Sequence, residues 1–181
     1  MNPTQTVGEN IVLSDKELVL KVKQDLPYQT ESFEVLTKRY HNTLFSICLR
    51  IIGDTFLAED AYQNTMLKIF RYIHNFHMDS SFKTWAYRIA FNESISIKKT
   101  LKHEIESVKD YAAYENKNNL DNEIEVEKLL NYVTEEERQI LILKYTVELS
   151  DKEISEVIGI SLSALKMRLS RAKLKLHKLF K

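Results

Sequence analysis

Apolar residues recur every three or four positions along most of the chain, the spacing of helices with one buried face. Ser14-Asp15-Lys16-Glu17 is a capping box, so a short helix should follow it and stop before Pro27. Phe33, Leu36, Tyr40, Leu44, Ile47 and Ile51 form one helical stripe, and Gly53 sits where a C-terminal stop belongs. Asp54-Thr55 opens the next helix, striped by Ala58, Ala61, Thr65, Ile69 and Ile73. Asn75 to Ser81 is polar and turn-like. A further helix should start near Ser81, turn Phe82, Trp85 and Ile89 inward, and fray after Lys98-Lys99.

Beyond a weakly periodic stretch, the pattern resumes. One helix is expected over about Glu123–Tyr132. A second follows the capping box Thr134–Glu137 and carries Ile140, Leu141, Leu143, Tyr145 and Leu149. Ser150–Glu153 caps a helix bearing Ile154, Val157 and Ile158, Gly159 makes the turn, and Ser161 caps a last helix bearing Leu162, Leu165, Leu169, Leu176 and Leu179, the first three of them inward. The expected fold is therefore all-α: two small helical domains, residues 10–100 and 123–181, joined by a linker over 101–122. A connection that long is unusual inside one compact domain.

Composition supports this. Only 3 Gly and 2 Pro in 181 residues disfavour a turn-rich sheet protein, and 44% apolar with 29% charged residues is a globular mixture. No apolar run is long enough to span a membrane, and Met1–Asn10 lacks the pattern of a signal peptide. Cys48 has no second cysteine to pair with, so the cytoplasm is the expected compartment. The balanced 26 basic and 26 acidic residues are unevenly placed. From Leu162 onward there are seven Lys or Arg and no acid; from Glu104 to Glu137 eleven acids face three bases. An acidic middle and a basic end point to different partners.

Ser150–Lys175 has the form of a DNA-binding helix-turn-helix. On its second helix Ser163, Lys166, Met167, Ser170 and Arg171 lie off the leucine stripe, where Lys and Arg can reach phosphates or guanine edges. The bland alternative is a basic helix end complementing its own dipole. On the helix Ala58–Tyr72, Asp60, Gln63, Asn64, Leu67 and Arg71 share one side, which is either a docking surface or an ordinary solvated face. Phe76 to Phe82 and the following Trp85, Tyr87, Arg88, Phe91 and Asn92 interleave rings with Lys83, Arg88, Lys98 and Lys99, as in single-strand binders. Phe82 and Trp85 are expected in the core, whereas Tyr87 and Phe91 fall off that stripe. His74 and His77 lack further ligands nearby, and no phosphate loop, nucleophile elbow or zinc cluster is present, so no catalytic residue, metal or cofactor is expected.

Three segments in order carry a resemblance: Ala58-Glu59-Asp60-Ala61-Tyr62-Gln63-Asn64-Thr65, Phe82 to Asn92, and Ile160 to Ala172. Over about residues 14–178 the chain resembles the extracytoplasmic-function (ECF) sigma factors, the small two-domain branch of the sigma-70 family. The resemblance implies a subunit without catalysis of its own that binds core RNA polymerase, at the largest-subunit clamp and the flap, and directs it to promoter DNA. Asp60, Gln63, Asn64 and Leu67 would dock on the clamp. Phe76, His77, Met78, Asp79 and Ser80, with Lys83, Tyr87, Arg88, Phe91 and Asn92, would open and read the -10 element. Ser163, Lys166, Met167, Arg168, Ser170, Arg171 and Lys173 would contact the -35 element. The acidic linker would follow the RNA exit path, and family members are often held by an anti-sigma factor. The family's frequent Gly-Thr is here Ser163-Ala164, and His77-Met78 stands where Gly is common. The competing reading is a conventional helix-turn-helix regulator with residues 10–100 as effector or dimerisation domain. A weaker one is an enzyme with a helical active site.

Overall fold

The computed structural model describes residues 13–107 and 132–178, and among these all regular structure is helical. The expected helix over Glu123–Tyr132 (all but Tyr132), most of the linker, and Leu179 lie outside the described residues.

Helix α1 (Asp15–Asp25) starts on the expected capping box and buries Leu18, Val19 and Val22. The stripe from Phe33 to Ile51 is split into α2 (Glu31–Lys38) and α3 (His41–Ile52), a correction to the single helix expected. The break lies where Arg39 and Tyr40 are drawn to α1. Arg39 donates to the Asp15 carboxylate (2.8 Å) and to the Leu13 carbonyl (2.6 Å), and the Tyr40 hydroxyl donates to Asp15. Burial and that carboxylate push the Tyr40 phenol well above its usual pKa. Splitting the stripe lets both halves face the core, with Leu36, Leu44, Ile47 and Ile51 buried.

Gly53 ends α3 in the left-handed conformation at φ 82°. The Asp54 carboxylate accepts from the Leu57 N–H and caps α4 (Thr55–Tyr72). All five expected stripe residues, Ala58, Ala61, Thr65, Ile69 and Ile73, are fully buried. A 3-10 turn (Ile73–Asn75) and a loop lead to α5 (Phe82–Ser107), where the Ser81 hydroxyl accepts from Thr84 N–H (3.1 Å). The helix runs on past Lys99 rather than fraying there.

In the C-terminal part, α6 (Glu135–Tyr145) and α7 (Asp151–Ile158) each begin on the expected capping box. Gly159 turns the chain at φ 79°, where a side chain would be strained, and Ser161 caps α8 (Leu162–His177). Leu165, Leu169 and Ala172 are buried, whereas Leu162, expected inward, is 41% exposed at the first turn. Lys175 of α8 reaches the buried Glu137 of α6 at 2.6 Å. Burial pulls the Glu137 carboxyl up, but Lys175 and the Thr134 N–H outweigh it and hold it below the usual range.

The two halves share one apolar core. Helix α6 packs on α3 and α7 on α5. Charged pairs rim this contact: Lys98 with Glu135 at 2.8 Å and Lys83 with Glu153 at 3.4 Å.

Candidate functional site

Three exposed surfaces collect the residues singled out in the sequence. The first is the outer side of α4. Asp60, Gln63, Asn64 and Leu67 are all exposed there, because the opposite side is filled by Ala58, Ala61, Thr65 and Ile69. Leu67 is 55% exposed. Phe56, one turn before Asp60, is 77% exposed and extends the same strip. Sequence reading missed Phe56, although an aromatic four residues before Asp60 in a capped helix was the available signal. Lys68, beside the strip, is tied to Glu93 of α5.

The second surface is the loop from Phe76 with the first turns of α5. Its foundation is an aromatic stack. The Phe76 ring lies on Trp85, centroids 5.0 Å apart and planes 29° apart, and Phe82 meets Trp85 at 5.9 Å and Tyr40 at 5.6 Å. The Phe76 ring is therefore core, not a free stacking platform. Met78 holds a left-handed backbone at φ 60°, uncommon without glycine, and packs partly against the core. His77 and Asp79 are exposed, and Ser80 is half-buried. Arg88 and Asn92, one turn apart on α5, are exposed beside the half-buried Trp85.

Tyr87 and Phe91 depart from the expectation that they lie off the core. They are 3% and 6% exposed. Tyr87 meets Tyr40 edge-on at 6.0 Å, its ring carries the Lys83 ammonium at 5.9 Å, and Lys83 itself turns to Glu153 of α7. Burial raises the Tyr87 pKa. The reason is tertiary: α5 is buried by α3 and α4 and also by α7, so its inward arc is wider than one stripe. The -10 candidates thus divide into an exposed group (His77, Asp79, Arg88, Asn92), a half-buried group (Met78, Ser80, Lys83) and a buried one (Phe76, Tyr87, Phe91).

The third surface is α8. Ser163, Lys166, Met167, Ser170, Arg171 and Lys173 are all exposed, as a capped helix with Leu165, Leu169 and Ala172 inward requires. Met167 is 52% exposed and its sulfur lies 3.5 Å from an Arg171 nitrogen. Arg168 is different: its guanidinium pairs with Glu136 of α6 at 2.9 Å. Lys166, Lys173 and His177 line an open groove with Asp151 at its edge. A hydrogen bond from Lys144 at 2.7 Å outweighs burial and lowers the Asp151 pKa, with Lys166 and Lys173 assisting.

These surfaces belong to a two-part helical protein with an exposed polar–apolar strip on α4 and a helix-turn-helix in its C-terminal half. Residues 36–103 match the family described as Sigma-70 region 2, and residues 123–176 match Sigma-70, region 4. The chain is 27% identical over 183 residues to the ECF RNA polymerase sigma factor SigW of Bacillus subtilis, covering 90% of this chain and 97% of that protein. It is 28% identical to SigM of the same organism, covering 82% of this chain and 95% of that one. In fold it is similar to CnrH, solved with the cytosolic domain of CnrY, at TM-score 0.68 over 92% of this chain and 96% of that one, with 20% identity. It is also similar to the sigma factor RpoE of Bartonella quintana, solved with the anti-sigma factor NepR, at TM-score 0.66 over 81% and 97% with 22% identity. The chain belongs to the sigma-70 family and is an RNA polymerase sigma factor of the ECF type. Among the described residues no helix is long and apolar enough to cross a membrane.

Proposed function

We propose that this chain, without catalysis of its own and in the cytoplasm, binds core RNA polymerase through the outer strip of α4 and carries it to a two-part promoter. Asp60 and Gln63 supply directional polar contacts and Leu67 apolar area, with Asn64 beside them, on the polymerase clamp. The Phe76–Ser80 loop with Arg88 and Asn92 captures a flipped -10 base, read by hydrogen bonds inside a pocket. Helix α8 enters the -35 major groove. Arg171, Lys166 and Ser170 face base edges, and Lys173, the most C-terminal of the four, faces phosphate, because a recognition helix addresses bases through its more N-terminal positions. Residues 10–100 serve as the region-2 domain and 123–181 as the region-4 domain.

The observation that carries this reading is the exposure of an uncompensated polar-apolar strip on α4 in the same chain as a capped, basic recognition helix. A conventional regulator needs the second and would use the first only as an effector or dimerisation surface, whereas the match of residues 36–103 to Sigma-70 region 2 favours polymerase as its partner. The sigma factor RpoE of Bartonella quintana was solved with the anti-sigma factor NepR, and an anti-sigma factor is an expected partner of this chain too.

The test is transcription from genomic DNA by core polymerase with and without the protein, followed by sequencing of the transcripts. New start sites sharing one two-part motif are expected. Tight binding to duplex DNA by the protein alone, with no new start sites in the presence of core enzyme, overturns the reading in favour of a conventional regulator.

A further inference from the structure

Lys23 lies on α1, thirteen residues before the region-2 match begins at Leu36. Its side chain crosses to the end of the 3-10 turn. The ammonium donates to the His74 carbonyl at 3.2 Å and to the Phe76 carbonyl at 2.6 Å. Both carbonyls stand at the entry of the loop assigned above to the -10 base. The end of a helical segment leaves carbonyls without intrahelical partners and carries partial negative charge, so a cation is the complementary group there. Lys23 is half-buried, which strengthens a charge-assisted bond relative to one in water.

We propose that Lys23 is a positioning residue for -10 recognition, acting through the His74 and Phe76 carbonyls on the backbone of the Phe76–Ser80 loop. The inference rests on the reading of that loop as the base-capturing element. Two restraints converge on the loop, Lys23 on the carbonyl of Phe76 and Trp85 on its ring, and two residues on Met78 holds a left-handed backbone. Such a backbone persists only where its surroundings determine it. A pocket that discriminates bases depends on a preformed backbone, since ordering it on binding would consume the discrimination. Of the two restraints, Lys23 supplies the one that comes from α1. The α1 helix therefore takes part in promoter reading although it precedes the matched region.

The experiment uses full-length protein reconstituted with core polymerase and a panel of single-base -10 variants. Lys23→Met keeps the aliphatic stem and removes the donor. It should reduce discrimination at the captured base on the order of ten-fold, from loss of charge-assisted hydrogen bonds, with core affinity unchanged. Lys23→Arg should restore most of the discrimination. A proportional loss on every promoter together with weaker core binding would mark a role in stability alone and overturn the inference. If Lys23→Met does not fold, Lys23→Gln, whose uncharged amide sits one bond nearer the backbone and cannot keep both carbonyl bonds, is read in the same panel. A wild-type -10 profile for it then overturns the inference. Alanine replacement of His77, Met78 and Asp79 separates the two levels of argument. If that exchange alters base preference while Lys23→Met does not, Lys23 is excluded and the loop assignment stands. If neither alters it, the loop assignment itself fails and the inference falls with it.

Discussion

The surfaces proposed for the -10 and -35 elements are built in opposite ways. Helix α8 stands on local rules: Ser161 caps it, leucines spaced by three and four point inward, and the residues between them point out. The -10 surface depends on contacts between segments far apart in sequence. Its loop is held by Lys23 from α1 and by an aromatic stack, and its helix is enclosed by α3, α4 and α7. On α8 the exposed Ser163, Lys166, Met167, Ser170, Arg171 and Lys173 are candidates for contact with DNA, whereas Arg168 is half-buried and engaged by Glu136. On α5 only the Arg88–Asn92 side is open, while Tyr87 and Phe91 on the other arc serve packing.

The largest effect that separates the two arcs of α5 is on stability. Phe91→Ala should cost about 3–5 kcal/mol, the range for truncating a buried phenylalanine. Asn92→Ala, at the next position but exposed, should change stability by less than about 0.5 kcal/mol and should instead alter -10 base preference. Denaturant unfolding of the two variants measures the first and transcription from single-base promoter variants the second. A stable Phe91→Ala protein with altered base preference would return that ring to the DNA-binding set.

The α4 strip should rank next. Asp60→Ala or Gln63→Ala should weaken core binding, by about 1.5–3 kcal/mol for the charged Asp60, with the fold intact. Phe56→Ala should also weaken it, because a ring exposed beside those residues has apolar area to bury only in a complex. Titration with labelled core polymerase measures all three. Wild-type affinity in every variant removes α4 from the docking surface.

The -35 surface divides on a finer scale. Arg171→Ala should cost about 1–3 kcal/mol and relax discrimination at one -35 position. Lys173→Ala should weaken binding equally on all sequences and reduce the salt slope by about one. Arg168→Ala should do less to specificity than Arg171→Ala, because its guanidinium is engaged by Glu136. Holoenzyme affinity for -35 variants at several salt concentrations distinguishes the three. If Arg171→Ala leaves both specificity and salt slope unchanged, the register of α8 on DNA is wrong.

These contrasts also show what the sequence could convey. The capping boxes at Ser14, Thr134 and Ser150, the glycine stops at Gly53 and Gly159, and the fully buried stripe of α4 were all legible, because each follows from residues within a few positions of one another. The break at Arg39–Tyr40 was not, because Asp15, which holds it, is two dozen residues away. The burial of Tyr87 and Phe91 was not, because a single-stripe reading assumes one packing partner per helix and α5 has several. Leu162 failed for a lesser reason: at the first turn of α8 the neighbouring elements do not reach it. Candidate sites on locally specified helices were therefore placed well on the surface, and those on the enclosed helix were not.

The smallest expected effect tests the contact that encloses α5. The Lys98–Glu135 and Lys83–Glu153 pairs lie across the two halves and are partly solvated, so each should contribute only about 0.2–1 kcal/mol. Both glutamates feel burial, which raises the pKa, but the cations and hydrogen bonds outweigh it and hold both below the usual value of 4.5. A folded-state pKa below the unfolded one means that the stabilisation is complete above the ordinary carboxylate range. It is lost as pH falls through that range toward the folded-state values. A double-mutant cycle of Lys98→Ala and Glu135→Ala isolates one pair, since the single variants also lose other contacts such as Gln139 to Glu135. The coupling should be favourable at neutral pH and low salt, shrink at high salt because the pair is part-exposed, and fade as pH falls through and below the ordinary carboxylate range. A coupling that persists unchanged in acid would show that the two halves are held at this edge by packing alone, and the charged rim would then have no part in closing the -10 helix against the C-terminal half.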